Sequence, residues 1–404
     1  MKIILVNPVS SVTLWPLSQT RPVADIRIGI LTIAEKWEKL SGLAVSHLCT
    51  PLLASLYPID LSAENLFVLG SVLPDEQFVK TVMELKTGEA IENQKGTWLA
   101  AKMDEAQSLD WVERYLLGKE FPIHLNFTNA YPNLLNILSY PWQIFQLNGE
   151  EHEKDYNLIT KGRNSHSLHE TNQVFGDRIF LEEGAKVHFS ILNSSTGSIY
   201  IGKNAEIMEG CMVRGSLALC EGSVLKMGAK IYGPTTIGPG SKVGGEIQNS
   251  VIQANSNKAH DGYLGNSVLG EWCNLGADTN TSNLKNTYQE VKLWNYVKDS
   301  FIKTNSIFCG MIMGDHAKCG INTMFNTGTV VGVGANVFGA GYPRQFIPDF
   351  AWGGATGFST FGMDKFLETA KAVMLRRNQT LDENYQLLLE QIFFSTAKYR
   401  TWEK

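Results

Sequence analysis

The chain has 404 residues, enough for roughly two to three domains that each bury a core. Its 44% hydrophobic and 19% charged composition is that of an ordinary globular protein. A formal net charge of −5 argues against a nucleic-acid surface while leaving room for a local basic pocket for phosphates, and no apolar run approaches the roughly 20 residues that span a bilayer.

The opening run from Met1 to Pro8 is too short for a signal peptide and reads as a first β-strand. The first 150 residues read as α/β. Strands are predicted at Lys2–Val6, Asn65–Leu69 and Thr97–Ala101, and helices near Leu31–Lys39, Asp75–Leu85 and Leu109–Leu117. Asp75 and Glu76 fall in the first turn of the second helix, where its dipole favours them. The polar stretch from Asn148 to Asn172 reads as an exposed connection. Six cysteines without a CxxC pair point to reduced thiols in the cytoplasm. Five of them, Cys211, Cys220, Cys273, Cys309 and Cys319, read as small buried side chains.

From about Val174 glycine becomes frequent and a period of six appears. Ile201, Ile207, Val213, Leu219, Leu225, Ile231, Ile237 and Val243 are all aliphatic, and the residues four further on, from Ala205 to Ser241, are nearly all small. A second run is Ile307, Met313, Cys319, Phe325, Val331 and Val337. Six matches neither the helical period nor strand alternation. It fits a coil of very short strands and tight turns, in which stacked repeats bury one column that no single repeat could bury alone. From about Phe361 the pattern returns to helix. Phe366, Ala370 and Met374 form one stripe, and Thr380-Leu381-Asp382-Glu383 caps a second helix carrying Leu387, Leu388, Ile392 and Phe393. The expected organisation is an α/β domain over 1–150, a connection over 151–173, a repeat coil over 174–345 and a helical tail over 346–404, which packs on the coil or on a neighbouring subunit.

These repeats resemble the hexapeptide-repeat acyltransferases, whose fold is a left-handed parallel β-helix. The hand comes from that resemblance alone, since parallel crossovers are otherwise right-handed in about 98% of cases. The resemblance implies homotrimers with acetyl-CoA in the groove between subunits. Between the two runs stand His260-Asp261-Gly262-Tyr263-Leu264-Gly265, then Asn274-Leu275-Gly276-Ala277, Asn283-Leu284-Lys285 and Glu290-Val291-Lys292. This order resembles the acetyltransferase half of the bifunctional enzymes that acetylate glucosamine 1-phosphate and then uridylylate it, the archaeal-type branch above all.

Acetyl transfer needs a neutral amine and a base that titrates near pH 7, which histidine suits. The resemblance assigns that base to His260. It places Tyr263 on the sugar or its phosphate, Asn274 and Asn283 on the amino sugar, the Ala277 backbone N–H toward the thioester oxygen, and Lys292 on the 1-phosphate. Taken alone, Tyr263 reads as packing, Asn274 and Asn283 as turn or corner residues, and Lys292 as solvated. Two features depart from the family pattern. Gln289 stands where a further Lys is common, and Gln248 and Asn249 stand where basic residues grip the phosphate, with Lys230 and Lys242 nearby.

Leu14-Trp15-Pro16-Leu17-Ser18-Gln19-Thr20-Arg21-Pro22 resembles the start of sugar-1-phosphate nucleotidylyltransferases, a Rossmann-like fold. In that family a glycine-rich turn lets backbone amides wrap a triphosphate. Here the turn, from Asn7 to Thr13, has no glycine, and the usual lysine is absent, so Arg21 is the candidate phosphate-binding cation. Three readings of this half stay open: an inactive scaffold, an active divergent enzyme taking UTP or dTTP, or a regulatory module. Mg²⁺ is expected only with an active first half; no other metal is expected. For the whole chain, the leading reading is an acetyl-CoA-dependent N-acetyltransferase of an amino-sugar phosphate in cell-envelope sugar-nucleotide synthesis, with no nucleic-acid or membrane partner. The rivals are a nucleotidylyltransferase whose coil serves oligomerisation, and a non-catalytic assembly or regulatory subunit. Arg344 is a weak candidate for the phosphates of CoA.

Overall fold

The structure, a computed structural model, describes residues 1–118, 125–128 and 130–403. They fold as two compact units: Met1–Ser11, Thr20–Ile26 and Leu31–Ser139 make the first, and Val12–Gln19, Arg27–Ile30 and Tyr140–Lys404 the second.

The first unit is built on a six-stranded mixed sheet in the order Val45–Leu48, Lys2–Val6, Glu64–Leu69, Trp98–Asp104, Glu89–Glu92, Asn126–Phe127. The first three strands are parallel; Trp98–Asp104 runs antiparallel to both of its neighbours. Helices cover Ile33–Ser41, Glu76–Met83 and Glu105–Leu116. Thr32 with Glu35 and Asp104 with Gln107 close capping boxes. Asp75 lies one residue before its helix rather than in the first turn, and its carboxylate accepts the Phe78 N–H at 2.7 Å. Trp111 packs edge-on to Phe67 at 4.4 Å over the core of Ile4, Val6, Ala101 and Met103.

In the second unit a helix spans Trp142–Thr160, through the stretch whose polarity suggested an exposed connection. The reason is that its polar side chains bond backbone. Asn148 Oδ1 accepts the Gly29 N–H at 2.8 Å while its Nδ2 donates to Pro234 O at 3.1 Å, and Asp155 Oδ2 accepts the Ile30 N–H at 2.8 Å. Buried polar groups that find such partners stabilise an interface that hydrophobicity does not mark.

The coil that follows is a β-helix of three faces. Face one runs from Gln173–Phe175 through Lys230–Tyr232 and Glu246–Gln248 to Tyr263–Gly265. Face two runs from Ile179–Leu181 to Phe346–Ile347, and face three from Lys186–Val187 through Val243 and Asn257–Lys258 to Ala351–Gly354. All eight aliphatic residues of the first run are buried, falling in turn on faces two, three and one, so the six-residue period is one inward side chain per face. Corners take left-handed backbone at Asn204, Asn249, Asn255, Asn266, Asp278 and Asn322, with φ between 46 and 58°. In the second run Ile307 is 42% exposed and is no core residue, because a long excursion from Asn283 returns to the coil only at Met311. The excursion carries an antiparallel hairpin, Lys292–Asn295 with Ser300–Lys303.

Helices Met363–Leu375 and Glu383–Ser395 form the tail, the second capped by Asp382. Phe366, Ala370 and Met374 are buried as expected; in the second helix Leu389 is buried with Leu388 and Ile392, whereas Leu387 is exposed. The tail packs on the coil, with Phe366 edge-on to Phe350 at 5.0 Å and His316 Nε2 3.0 Å from Tyr385 Oη. No helix among the described residues is long and apolar enough to cross a membrane.

Candidate functional site

The coil shortens where the predicted chemistry lies. Ile237 pairs with Ile252 and Val243 with Lys258, fifteen residues on instead of eighteen. The loss falls between Val243 and Ile252, where only Gly244 and Gly245 separate faces three and one, and after Lys258 a turn of ordinary length leads to Tyr263, which restarts face one. His260 is in that turn, at the corner between faces three and one, with its side chain exposed on the single chain. Gly262 makes the turn possible. Its φ is +113°, and a Cβ there would lie 2.1 Å from Thr279 O.

Tyr263 and Asn283 are brought together. Tyr263 Oη donates to Gln248 Oε1 at 2.6 Å and accepts from Asn283 Nδ2 at 2.9 Å, and the same Nδ2 lies 2.7 Å from Asn266 Oδ1. Burial pushes the Tyr263 phenol above its ordinary range, so it stays a neutral donor. Asn283 is only 8% exposed and has no left-handed backbone, so it is a hydrogen-bonding side chain rather than a corner. Gln248, noted in the sequence only for not being basic, holds the phenol in place. Beside it Tyr232 Oη donates to Glu246 Oε1, which adds a carboxylate to the same face.

The other predicted residues are placed elsewhere. Asn274 is exposed on face three, on the strand Asn274–Leu275, and is not a corner residue. Ala277 is half-buried in the next corner; its carbonyl accepts the Asn322 N–H at 2.9 Å, and its own N–H donates to nothing among the described residues. Lys203 and Glu221, at earlier corners, share that property, so the open N–H belongs to the turn geometry. Lys292 is exposed on the hairpin opposite Lys303. Gln289 is exposed. Arg344 is exposed with its guanidinium 5.4 Å over the Phe358 ring.

Lys258 is what the sequence reading passed over. It occupies an inward position between Val243 and Leu275, is 2% exposed, and its Nζ donates to His260 O and, at 3.0 Å, to Asp261 O. Its signal is a lysine falling in register with an aliphatic column.

In the first unit, Arg21 is buried, 5% exposed. The glycine-free turn is tied by Asn7, whose Oδ1 accepts the Val23 N–H at 2.9 Å and whose Nδ2 donates to Ser11 Oγ at 3.3 Å. Residues Val9–Leu14 form a 3₁₀ helix, and Trp15, in the second unit, stands edge-on to Tyr296 at 5.4 Å. Asp25 is engaged with His47 Nε2 at 3.2 Å, and no group of three or more His, Cys, Asp or Glu among the described residues is placed to hold a metal. A cavity of about 570 Å³ in the second unit, lined by Tyr140, Trp142, Gln146, Asn295 and Lys298, contains none of the predicted site residues.

Comparison with known proteins finds a family model and several curated relatives. A family model described as sugar nucleotidyl transferase matches residues 3–164. The bifunctional protein GlmU of Methanococcus aeolicus is 37% identical over 95 residues, 22% of this chain and 22% of its own length. The bifunctional sugar-1-phosphate nucleotidylyltransferase/acetyltransferase of Sulfurisphaera tokodaii is 31% identical over 144 residues, 35% of each chain. The chain thus spans about a fifth to a third of the length of these curated relatives. Among solved structures, the UDP-N-acetylglucosamine acyltransferase of Francisella novicida aligns over 54% of this chain and 74% of its own, at 13% identity and a TM-score of 0.29.

Proposed function

We propose that the second unit transfers an acetyl group from acetyl-CoA to the amine of glucosamine 1-phosphate or a close amino-sugar phosphate. The observation that carries this reading is the Tyr263–Gln248–Asn283–Asn266 cluster, built directly after the His260 turn in a stretch whose order resembles that of the bifunctional enzymes. The cluster offers neutral donors and acceptors on one face, which suits sugar hydroxyls. His260 takes the proton from the amine as nitrogen attacks the thioester carbonyl. The N–C bond forms, the C–S bond breaks, and the same proton passes to the departing CoA sulfur. The open Ala277 N–H supplies a donor for the oxygen that gains charge, and Lys292 a cation for the 1-phosphate.

His260 is exposed and Asn274 faces away from Tyr263 on a single chain. We therefore read the site as completed between copies, in a homotrimer, with acetyl-CoA between them. Six buried cysteines fit a cytoplasmic enzyme. The test is release of free CoA from acetyl-CoA and glucosamine 1-phosphate. His260→Ala is expected to lower kcat by about 100-fold or more, and unaltered release in that variant removes His260 as the base.

The family match over residues 3–164 favours a second activity, sugar-1-phosphate nucleotidylyl transfer in the first unit. Pyrophosphate release from UTP or dTTP with a sugar 1-phosphate, repeated with Arg21→Ala, decides it.

A further inference from the structure

A charged side chain in the aliphatic column of a β-helix needs a reason. Along face three the inward positions run Val187, Ile207, Leu225, Val243, then Lys258, then Leu275, Cys319 and Val337. Lys258 is as buried as its neighbours, and taking an ammonium out of water costs several kcal/mol unless carbonyls replace the lost hydration. Two do, and both belong to the turn that carries His260: Lys258 Nζ donates to His260 O and to Asp261 O. Asp261 O also accepts the Asp278 N–H at 3.1 Å from the next coil.

Space for the head group is made deliberately. A Cβ on Gly245 would lie 2.9 Å from Lys258 Nζ and 2.8 Å from His260 O, and Gly245 has φ +77°, open to glycine with least strain. The ammonium is therefore enclosed between Gly245 below and the His260–Gly262 turn above, while Gly262 seats that turn against Thr279. An aliphatic residue at position 258 would fill the column and leave the two carbonyls without this donor. The coil itself does not need the charge; the turn does.

We propose that Lys258 is a positioning residue for acetyl transfer, its buried ammonium fixing the main chain of the His260 turn so that the imidazole is presented to the bound amine. This rests on the reading of His260 as the base.

Full-length Lys258→Met, Lys258→Gln and His260→Ala proteins are compared for CoA release and for thermal unfolding. Lys258→Met is expected to unfold no earlier than the parent, because an apolar side chain replaces a buried charge. Its kcat is expected to fall by about 100-fold, the scale of an ångström's misplacement of a reacting group, with KM for acetyl-CoA unchanged. Lys258→Gln, which keeps an N–H donor on a shorter stem, is expected to recover part of kcat. If His260→Ala is inactive while both Lys258 variants keep parental kcat, the positioning role is overturned and the base stands. If both Lys258 variants lose thermal stability and the folded fraction keeps its kcat, the ammonium serves the coil alone and the role is again overturned. Full activity in His260→Ala removes the base, and the positioning role with it.

Discussion

A buried ammonium makes stability depend on pH in the direction opposite to that of an ion-paired lysine. Burial holds Lys258 down to about 8 from its ordinary 10.5, against the pull of Asp261, Cys319 and Asp278 nearby. The unfolded chain therefore binds the proton more tightly than the folded one. Below pH 8 both states are charged and the burial penalty is felt in full; between about 8 and 10.5 the folded state sheds the proton first, and stability rises with pH. The gap is worth ~3 kcal/mol at most. Lys318, half-buried with its Nζ 3.0 Å from His316 O and likewise lowered to about 8 by desolvation, adds a parallel rise. Urea unfolding at pH 7.5 and 9.5 is expected to show the parent gaining stability relative to Lys258→Met by a large part of that amount; an equal response in the two proteins would mean the lysine is not held down by burial. This residue was invisible in the sequence because a lysine is read as solvent-exposed by default. Only its place in register with Val243 and Leu275 distinguishes it, and that register is broken by the shortened coil just before it. Tyr263 and Asn283 were legible because their spacing from His260 follows a known order, whereas Gln248, which holds the phenol, was noted only for the charge it lacks.

At the scale of elements, what could be read depended on whether apolar side chains marked the packing face. The coil announced itself because the chain buries one aliphatic residue in every six, on successive faces. Ile307 satisfied the same count by coincidence, being in the excursion before Met311. The helix Trp142–Thr160 is hidden for the reverse reason: Asn148, Glu151, His152 and Asp155 are buried polar groups, and a polar stretch reads as exposed. Its attachment can be tested at Asn148. Its Oδ1 accepts the Gly29 N–H and lies 3.0 Å from Thr236 Oγ1, and its Nδ2 donates to Pro234 O. Asn148→Ala leaves the buried Gly29 N–H without its partner, costing about 1–3 kcal/mol, and frees the part-buried Pro234 carbonyl at a smaller cost. The expected loss is ~2 kcal/mol or more in chemical denaturation, and a change under ~0.5 kcal/mol, the size of an ordinary surface substitution, would show that water takes over those bonds.

For the whole molecule, the central matter is that one chain does not gather its predicted site. Tyr263 lies on face one with Asn283 bonded to its phenol, Asn274 lies on face three, and the exposed His260 stands at the corner between those two faces. A corner of a three-faced prism is where the faces of two copies meet when prisms associate, so residues that diverge on one chain can converge across an interface. The sequence supplied the residues but no information about which faces they occupy, because facing follows from the shortened coil and not from spacing. Complementation separates a shared site from a self-contained one. His260→Ala and Asn274→Ala chains, each nearly inactive alone, are co-expressed under different tags and purified as mixed oligomers. If each site takes His260 from one copy and Asn274 from another, some sites in a mixed oligomer receive both intact residues, and CoA release exceeds that of either variant alone. If every site is contained in one chain, each carries one defect whatever its neighbours are, and the mixture stays at the average of the two.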